Sequence, residues 1–122
     1  MPYSIEKNLG FIKVTYWGIL SKEDVMEVIK YSLGEETLYL LDRLEDMRKL
    51  KSVQTGYTEL LEVTNHLRTV QLPQTVKTAL LTSNELQYGV ARMFQTILDH
   101  PQMKLEIFTD EKEAMNWLLA RE

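Results

Sequence analysis

Three groups of residues have side chains and spacings that could do chemistry. The first is Asp42, which closes the short apolar run Thr37 to Asp42 (TLYLLD), with Arg43 directly after it. A carboxylate at the end of a buried strand can serve as a base, a metal ligand or a hydrogen-bond acceptor. The second is Thr82-Ser83-Asn84, three residues able to cap the helix that follows or to touch a ligand there. The third is Tyr88 with Arg92, four apart and so on one helical face, where the guanidinium can reach a phosphate or carboxylate near Asn84. The plainer roles are capping for the first-turn residues and, for Arg92, stacking on Tyr88 or pairing with an acid.

Other chemistries lack their residues. The chain has no cysteine, which removes disulfides, thiol catalysis and zinc–thiolate sites. His66 and His100 stand far apart and in no metal-binding pattern, so no metal site is expected. Neither a GxSxG elbow, a P-loop nor a GxGxxG fingerprint occurs. Asp42 has no paired acid, because Glu45 and Asp46 fall in a charged stretch over 43–54 that reads as a surface loop. A net charge of −4 disfavours nucleic acid and anionic membranes as partners. No apolar run approaches the roughly 20 residues of a membrane span, and the first residues lack a signal-peptide core. The expected compartment is the cytoplasm.

The elements that would position these residues follow from periodicity. At 122 residues, with 44% apolar and 26% charged residues, the chain suits a single globular domain over 1–122. Residues 3–7 and 11–17 read as strands joined by a tight hairpin at Asn8-Leu9-Gly10, and Gly18 ends the second. Ser21, with Asp24 as a capping-box partner, opens a helix over 22–33 that stops at Gly34. Thr37 to Asp42 forms the third strand. Thr55 opens a second helix, which Pro73 ends at the latest. A strand over 76–82, a helix carrying Leu86, Val90, Met93, Phe94, Ile97 and Leu98, a strand over 103–109 and a helix capped by Asp110 complete the order. Trp17 and Trp117 read as core aromatics. Gly89, inside the third helix, costs about 1 kcal/mol against alanine and points to close helix–sheet packing. The order β-β-α-β-α-β-α-β-α implies an α/β fold on a five-stranded, mostly parallel sheet with its first strand antiparallel. In such sheets ligands bind beyond the carboxyl ends of the strands, which gathers Asp42, Arg43, Ser83, Asn84, Tyr88 and Arg92 into one candidate edge.

The second half carries a family likeness. The strand KTALLTS, the helix bearing Tyr88-Gly89-Val90-Ala91-Arg92-Met93-Phe94, and the ending Ile107-Phe108-Thr109-Asp110 with Ala114-Met115-Asn116-Trp117-Leu118 resemble the SpoIIAA-like family of small bacterial proteins. The Gly18-x-Leu20-Ser21 turn and the strand closing on Asp42 match more loosely. The resemblance implies a STAS-like fold with Sec14-like kin. It also implies a regulatory protein without catalysis of its own, bound to a protein partner or to itself. Better-known members are switched by phosphorylation of a serine in an Asp-Ser-Ser motif. Asp42 matches the aspartate, but Arg43 and Leu44 stand at the serine positions, so the switch does not transfer. Thr55 is the remaining position where a phosphate would sit sensibly, at a helix N-terminus.

Three functional readings follow. The leading one is a non-enzymatic regulatory or protein-interaction module with a protein partner or homodimer and no cofactor. A carrier of a lipid or other small apolar or anionic ligand would need a cavity near Leu86, Val90 and Phe94. A small enzyme would need Asp42 to converge with Tyr88 or Arg92 in one cleft.

Overall fold

The computed structural model describes residues 2–34, 41–54, 56–69, 71–72, 74–98 and 100–120. In order, the elements are β1 (Tyr3–Asn8), β2 (Phe11–Ser21), α1 (Lys22–Gly34), β3 (Asp42–Gln54), α2 (Tyr57–Arg68), β4 (Val76–Leu81), α3 (Glu85–Ile97), β5 (Met103–Phe108) and α4 (Glu111–Leu119). The strands form one sheet in the order β1-β2-β3-β4-β5. Only the β1–β2 pair is antiparallel. Gly10, at φ +86°, supplies the positive φ of the two-residue hairpin loop Leu9-Gly10 between paired Asn8 and Phe11.

Sequential strand order decides where the helices go. Each crossover from β2 to β5 steps one strand in the same direction, and a right-handed rule then puts α1, α2 and α3 on one face. The core on that face holds Ile12, Val14, Tyr16, Leu20, Val28, Met47, Leu50, Leu80 and Ala91. After β5 the chain returns on the opposite face as α4, where Leu44, Ala79, Leu81, Ala114 and Leu118 form a second buried cluster. Helix α4 packs on β3, β4 and β5. Trp117 of α4 meets Phe108 with ring centroids 5.6 Å apart at a 45° tilt, and the Lys77 ammonium lies 5.3 Å from the Trp117 ring.

The largest departure from expectation is β3. The stretch 43–54, read as a loop, is the strand itself, and Asp42 opens it rather than closing one. Residues 37–40 of the expected strand lie outside the described residues. The physical reason is bulging. Pairing with β2 slips between Thr15 and Trp17, and again between Gly18 and Ile19. An extra residue at a bulge reverses which face the following side chains take. Met47 and Leu50, three apart, therefore enter the same core, and an alternation of two is disguised as a spacing of three. Gly18 takes part: at φ +68° it lets β2 continue through the irregularity to Ser21 instead of ending there.

Two smaller expectations also change. Trp17 is 40% exposed, because among the described residues α4 packs mainly on β3, β4 and β5 rather than over this part of β2. Gly89 is exposed, and a Cβ built on it would meet nothing within 4 Å, so no close approach explains the glycine. Gly89→Ala should therefore stabilise the domain by about 0.5–1 kcal/mol. A thermal melt showing an unchanged or lower midpoint would contradict this.

Candidate functional site

The rim at the carboxyl ends of the parallel strands is built around the start of α3. Asn84 caps that helix, its Oδ1 accepting from the Gln87 backbone N–H at 2.9 Å. Gln87, one of the most deeply buried residues at 1% exposure, then works in both directions. Its Oε1 accepts from the Ser83 N–H at 2.7 Å and from the Ser83 hydroxyl at 3.0 Å. Its Nε2 donates to the Leu50 carbonyl at 3.0 Å. Leu50 sits in the bulged part of β3, where the disturbed ladder frees a carbonyl, so a single amide ties the helix start to the strand irregularity. On the neighbouring strand end, the buried Thr82 donates its backbone N–H to the Phe108 carbonyl at 2.9 Å.

Beside this tie lies an open depression of about 320 Å³, lined by Thr82, Ser83, Asn84, Glu85, Tyr88 and Thr109. It falls where the connection after β4 goes to one face and that after β5 to the other, so the starts of α3 and α4 diverge around it. The lining offers hydroxyls, an amide, a carboxylate and a half-exposed phenol ring, with Tyr88 49% exposed.

A charged lock supports the same rim from below. Asp46 is 5% exposed and receives a forked pair from Arg48, Nε to Oδ1 at 3.0 Å and Nη2 to Oδ2 at 2.9 Å. The Arg48 backbone N–H adds a third bond to Oδ1 at 3.0 Å. The same Nη2 reaches Glu111 in the first turn of α4 at 2.7 Å. Burial by itself raises the Asp46 carboxyl, but the hydrogen bonds and charge of Arg48 outweigh it and hold the group below its ordinary value.

The predicted site residues divide between two edges. Ser83, Asn84 and Tyr88 come together in the depression. Arg92 lies one turn further along α3 and donates to Gln95 Oε1 at 2.7 Å. Asp42 and Arg43 stand at the opposite edge, at the amino end of β3, a strand length away. There the Asp42 Oδ1 accepts from the Lys77 N–H at 2.9 Å, lacing the starts of β3 and β4 together. Arg43 Nε is 3.8 Å from Glu45 Oε2, and this buried nitrogen has no hydrogen-bond partner. The Tyr16 hydroxyl donates to the other Glu45 oxygen at 2.6 Å. Burial, then the adjoining carboxylate, pushes that phenol well above its ordinary value, so it stays a neutral donor. Asp42 therefore does not meet Tyr88 or Arg92 in one cleft, and it does not close a strand as the aspartate of the family motif would. Thr55 lies outside the described residues.

Sequence reasoning missed the Arg48–Asp46–Glu111 lock, since it placed those charges in a loop. Gln87 carried a signal, three residues after a capping Asn, but its second role toward Leu50 depends on a bulge that the sequence conceals. The helix starts also carry their own acids: Glu23 and Asp24 in α1, Glu59 in α2, Glu85 in α3, and Glu111 and Glu113 in α4. These already complement the positive helix ends, which works against an anionic ligand there. Among the described residues, no three of His, Asp and Glu are grouped to hold a metal, and no helix is long and apolar enough to cross a membrane.

No family model matches the chain, and no curated protein does. Among solved structures it is similar to an uncharacterized protein of the DUF3478 family with a SpoIIAA-like fold, from Shewanella loihica PV-4. The two share 18% identity over 95% of this chain and 91% of that one, with a TM-score of 0.60. At that identity the likeness shows the fold, which is SpoIIAA-like.

Proposed function

We propose that this domain is a non-enzymatic protein-interaction module that docks a partner protein on the carboxyl-end rim of its sheet. One observation carries the reading. Three of the seven large apolar side chains left in water among the described residues sit at helix starts on that rim: Tyr57 at the start of α2, and Leu86 and Tyr88 at the start of α3. They are 61%, 50% and 49% exposed. Aromatic residues held on rigid elements beside a depression are the usual anchors of a protein interface. The acids of the helix first turns surround them, so the favoured partner surface is apolar with basic groups at its margin.

The structure gives less support to the other readings. Val90 packs against the main core and Phe94 against a smaller one, while Leu86 points to water, so these three do not outline a common apolar cavity. The enzyme reading loses the convergence it needed at Asp42.

The test is quantitative co-purification from the source cells with tagged wild type and a Leu86→Ser/Tyr88→Ser variant. Both side chains are half exposed and cap no core, so the variant should fold with a wild-type melt. Partner recovery should fall at least tenfold, consistent with the loss of about 2 kcal/mol expected for one aromatic anchor. Equal recovery by both proteins would refute a rim interface.

A further inference from the structure

The two edges of the sheet are treated differently. In β5 the middle of the outer edge is covered: the Leu105 carbonyl accepts from Gln95 Nε2 of α3 at 2.7 Å. Such covering is how a sheet avoids pairing with another chain. On β1 the arrangement is open. The hairpin closes on the pair Asn8 and Phe11, and the Trp17 N–H donates to the Pro2 carbonyl at 2.9 Å. Alternation along an antiparallel pair then directs the even-numbered residues of β1 to β2, and turns the main-chain groups of Tyr3 and Ile5 outward. No described hydrogen bond engages those outward groups.

The sequence of β1, Tyr3-Ser4-Ile5-Glu6-Lys7-Asn8, is complementary to itself in one register. Two copies related by a two-fold axis perpendicular to the sheet pair antiparallel, and residues directly opposite must share a face. Centring on Ile5 sets Ile5 against Ile5, the Ser4 hydroxyl against the Glu6 carboxylate twice, and the Tyr3 ring against the Lys7 chain twice. Centring on Glu6 opposes two carboxylates, and centring on Ser4 brings Pro2 into the ladder and shortens it. Cross-strand preferences therefore select the Ile5 register.

We infer that a second copy of this chain docks on β1 in that register, joining two five-stranded sheets into one of ten. The inference goes beyond the rim reading and uses a different surface. It has a consequence for the bare part of the sheet. The axis keeps both α4 helices on one side, so β2 and β1 of each copy form a four-stranded floor between them. Trp17, 40% exposed, and Ile19 then lie in a trough walled by α4 from each copy.

The absence of native cysteine makes the test direct. In the Ile5 register the two Cα atoms at position 5 are about 5.5 Å apart, within the range of a disulfide. An Ile5→Cys variant under mild oxidation should give a covalent dimer. Glu6→Cys, whose Cα atoms stand about 8 Å apart in this register, should not. In the unmodified protein, sedimentation should report a dimer, and the Tyr3 and Ile5 amides should exchange hydrogen more slowly as concentration rises. A monomer at all concentrations, a dimer whose Ile5 amide exchanges freely, or equal cross-linking at both positions would overturn the inference. None of these outcomes bears on partner recovery by the rim variant, so the two proposals fail separately.

Discussion

Gln87→Ala should destabilise the domain by about 3 kcal/mol, the largest loss expected from a single polar side chain here. The figure rests on what is left behind. The amide is 1% exposed and satisfies the Leu50 carbonyl and the Ser83 N–H. Stripping the buried Leu50 carbonyl of its partner costs about 1–3 kcal/mol, the partly buried Ser83 N–H adds less, and the lost side-chain volume adds a cavity penalty. Gln87→Glu discriminates the cause. It preserves volume and the bond from Ser83 but cannot donate to Leu50 unless protonated, so it should fall between wild type and alanine and recover in part at acid pH. Urea unfolding at neutral and acid pH measures both. An alanine variant within 0.5 kcal/mol of wild type, the range of ordinary surface changes, would show that α3 is held to β3 by apolar packing alone.

Arg48→Ala should cost about 2 kcal/mol at neutral pH. Removing one partner of a fully buried pair costs about 3–5 kcal/mol. Arg48 is 37% exposed, so solvent screens part of that. The pH dependence identifies the mechanism. In the native protein the Asp46 carboxyl lies below its ordinary value, near 3.9 when unfolded. A depressed carboxyl contributes stability that is fully present above the unfolded value and is lost as pH falls through the folded one. Without the guanidinium, the carboxyl rises from its depressed value, with the backbone N–H of residue 48 and Lys13 left to oppose burial. The penalty should thus be fully present at neutral pH and shrink as pH falls, from the raised carboxyl value of the variant down through the depressed native one, below which Asp46 is protonated in both proteins. A penalty that stays constant from neutral to acid pH would assign the loss to packing of the arginine stem.

Much of the architecture could be read from periodicity because most elements obey one period. In α3, Asn84 predicts the cap and Ile97 part of the buried face, but Leu86, expected on that face, is 50% exposed, and Gln87 and Ala91 are buried instead. In α1, Ser21 and Asp24 form the expected reciprocal cap: the Ser21 N–H donates to Asp24 Oδ2 at 2.9 Å, and the Asp24 N–H to Ser21 Oγ at 3.2 Å. The β3 strand was hidden because it breaks the rule that reveals strands. Its bulges shift side chains between faces, its charges are consumed in local pairs such as Arg48 with Asp46, and its apolar residues recur every third position. Misplacing β3 moved Asp42 and Arg43 to the wrong edge, so one predicted site became two unrelated places. Ser83, Asn84 and Tyr88 stayed together because they are contiguous on one helix start, where no strand register is needed to locate them.

The bulges also bear on the proposed rim interface. They release the Leu50 carbonyl that Gln87 takes up, and Gln87 fixes the helix start that presents Leu86 and Tyr88. A rigid base lets half-exposed side chains act as anchors without a large ordering cost on binding.

The most direct test of the rim interface is a hydrogen-exchange footprint of the protein alone and with the partner recovered from source cells. The account predicts slowed exchange over 82–89 and at the start of α2, with α4 beyond its first turn unchanged. Protection confined to α4 or β5, with the segment 82–89 exchanging as in the isolated protein, would contradict it.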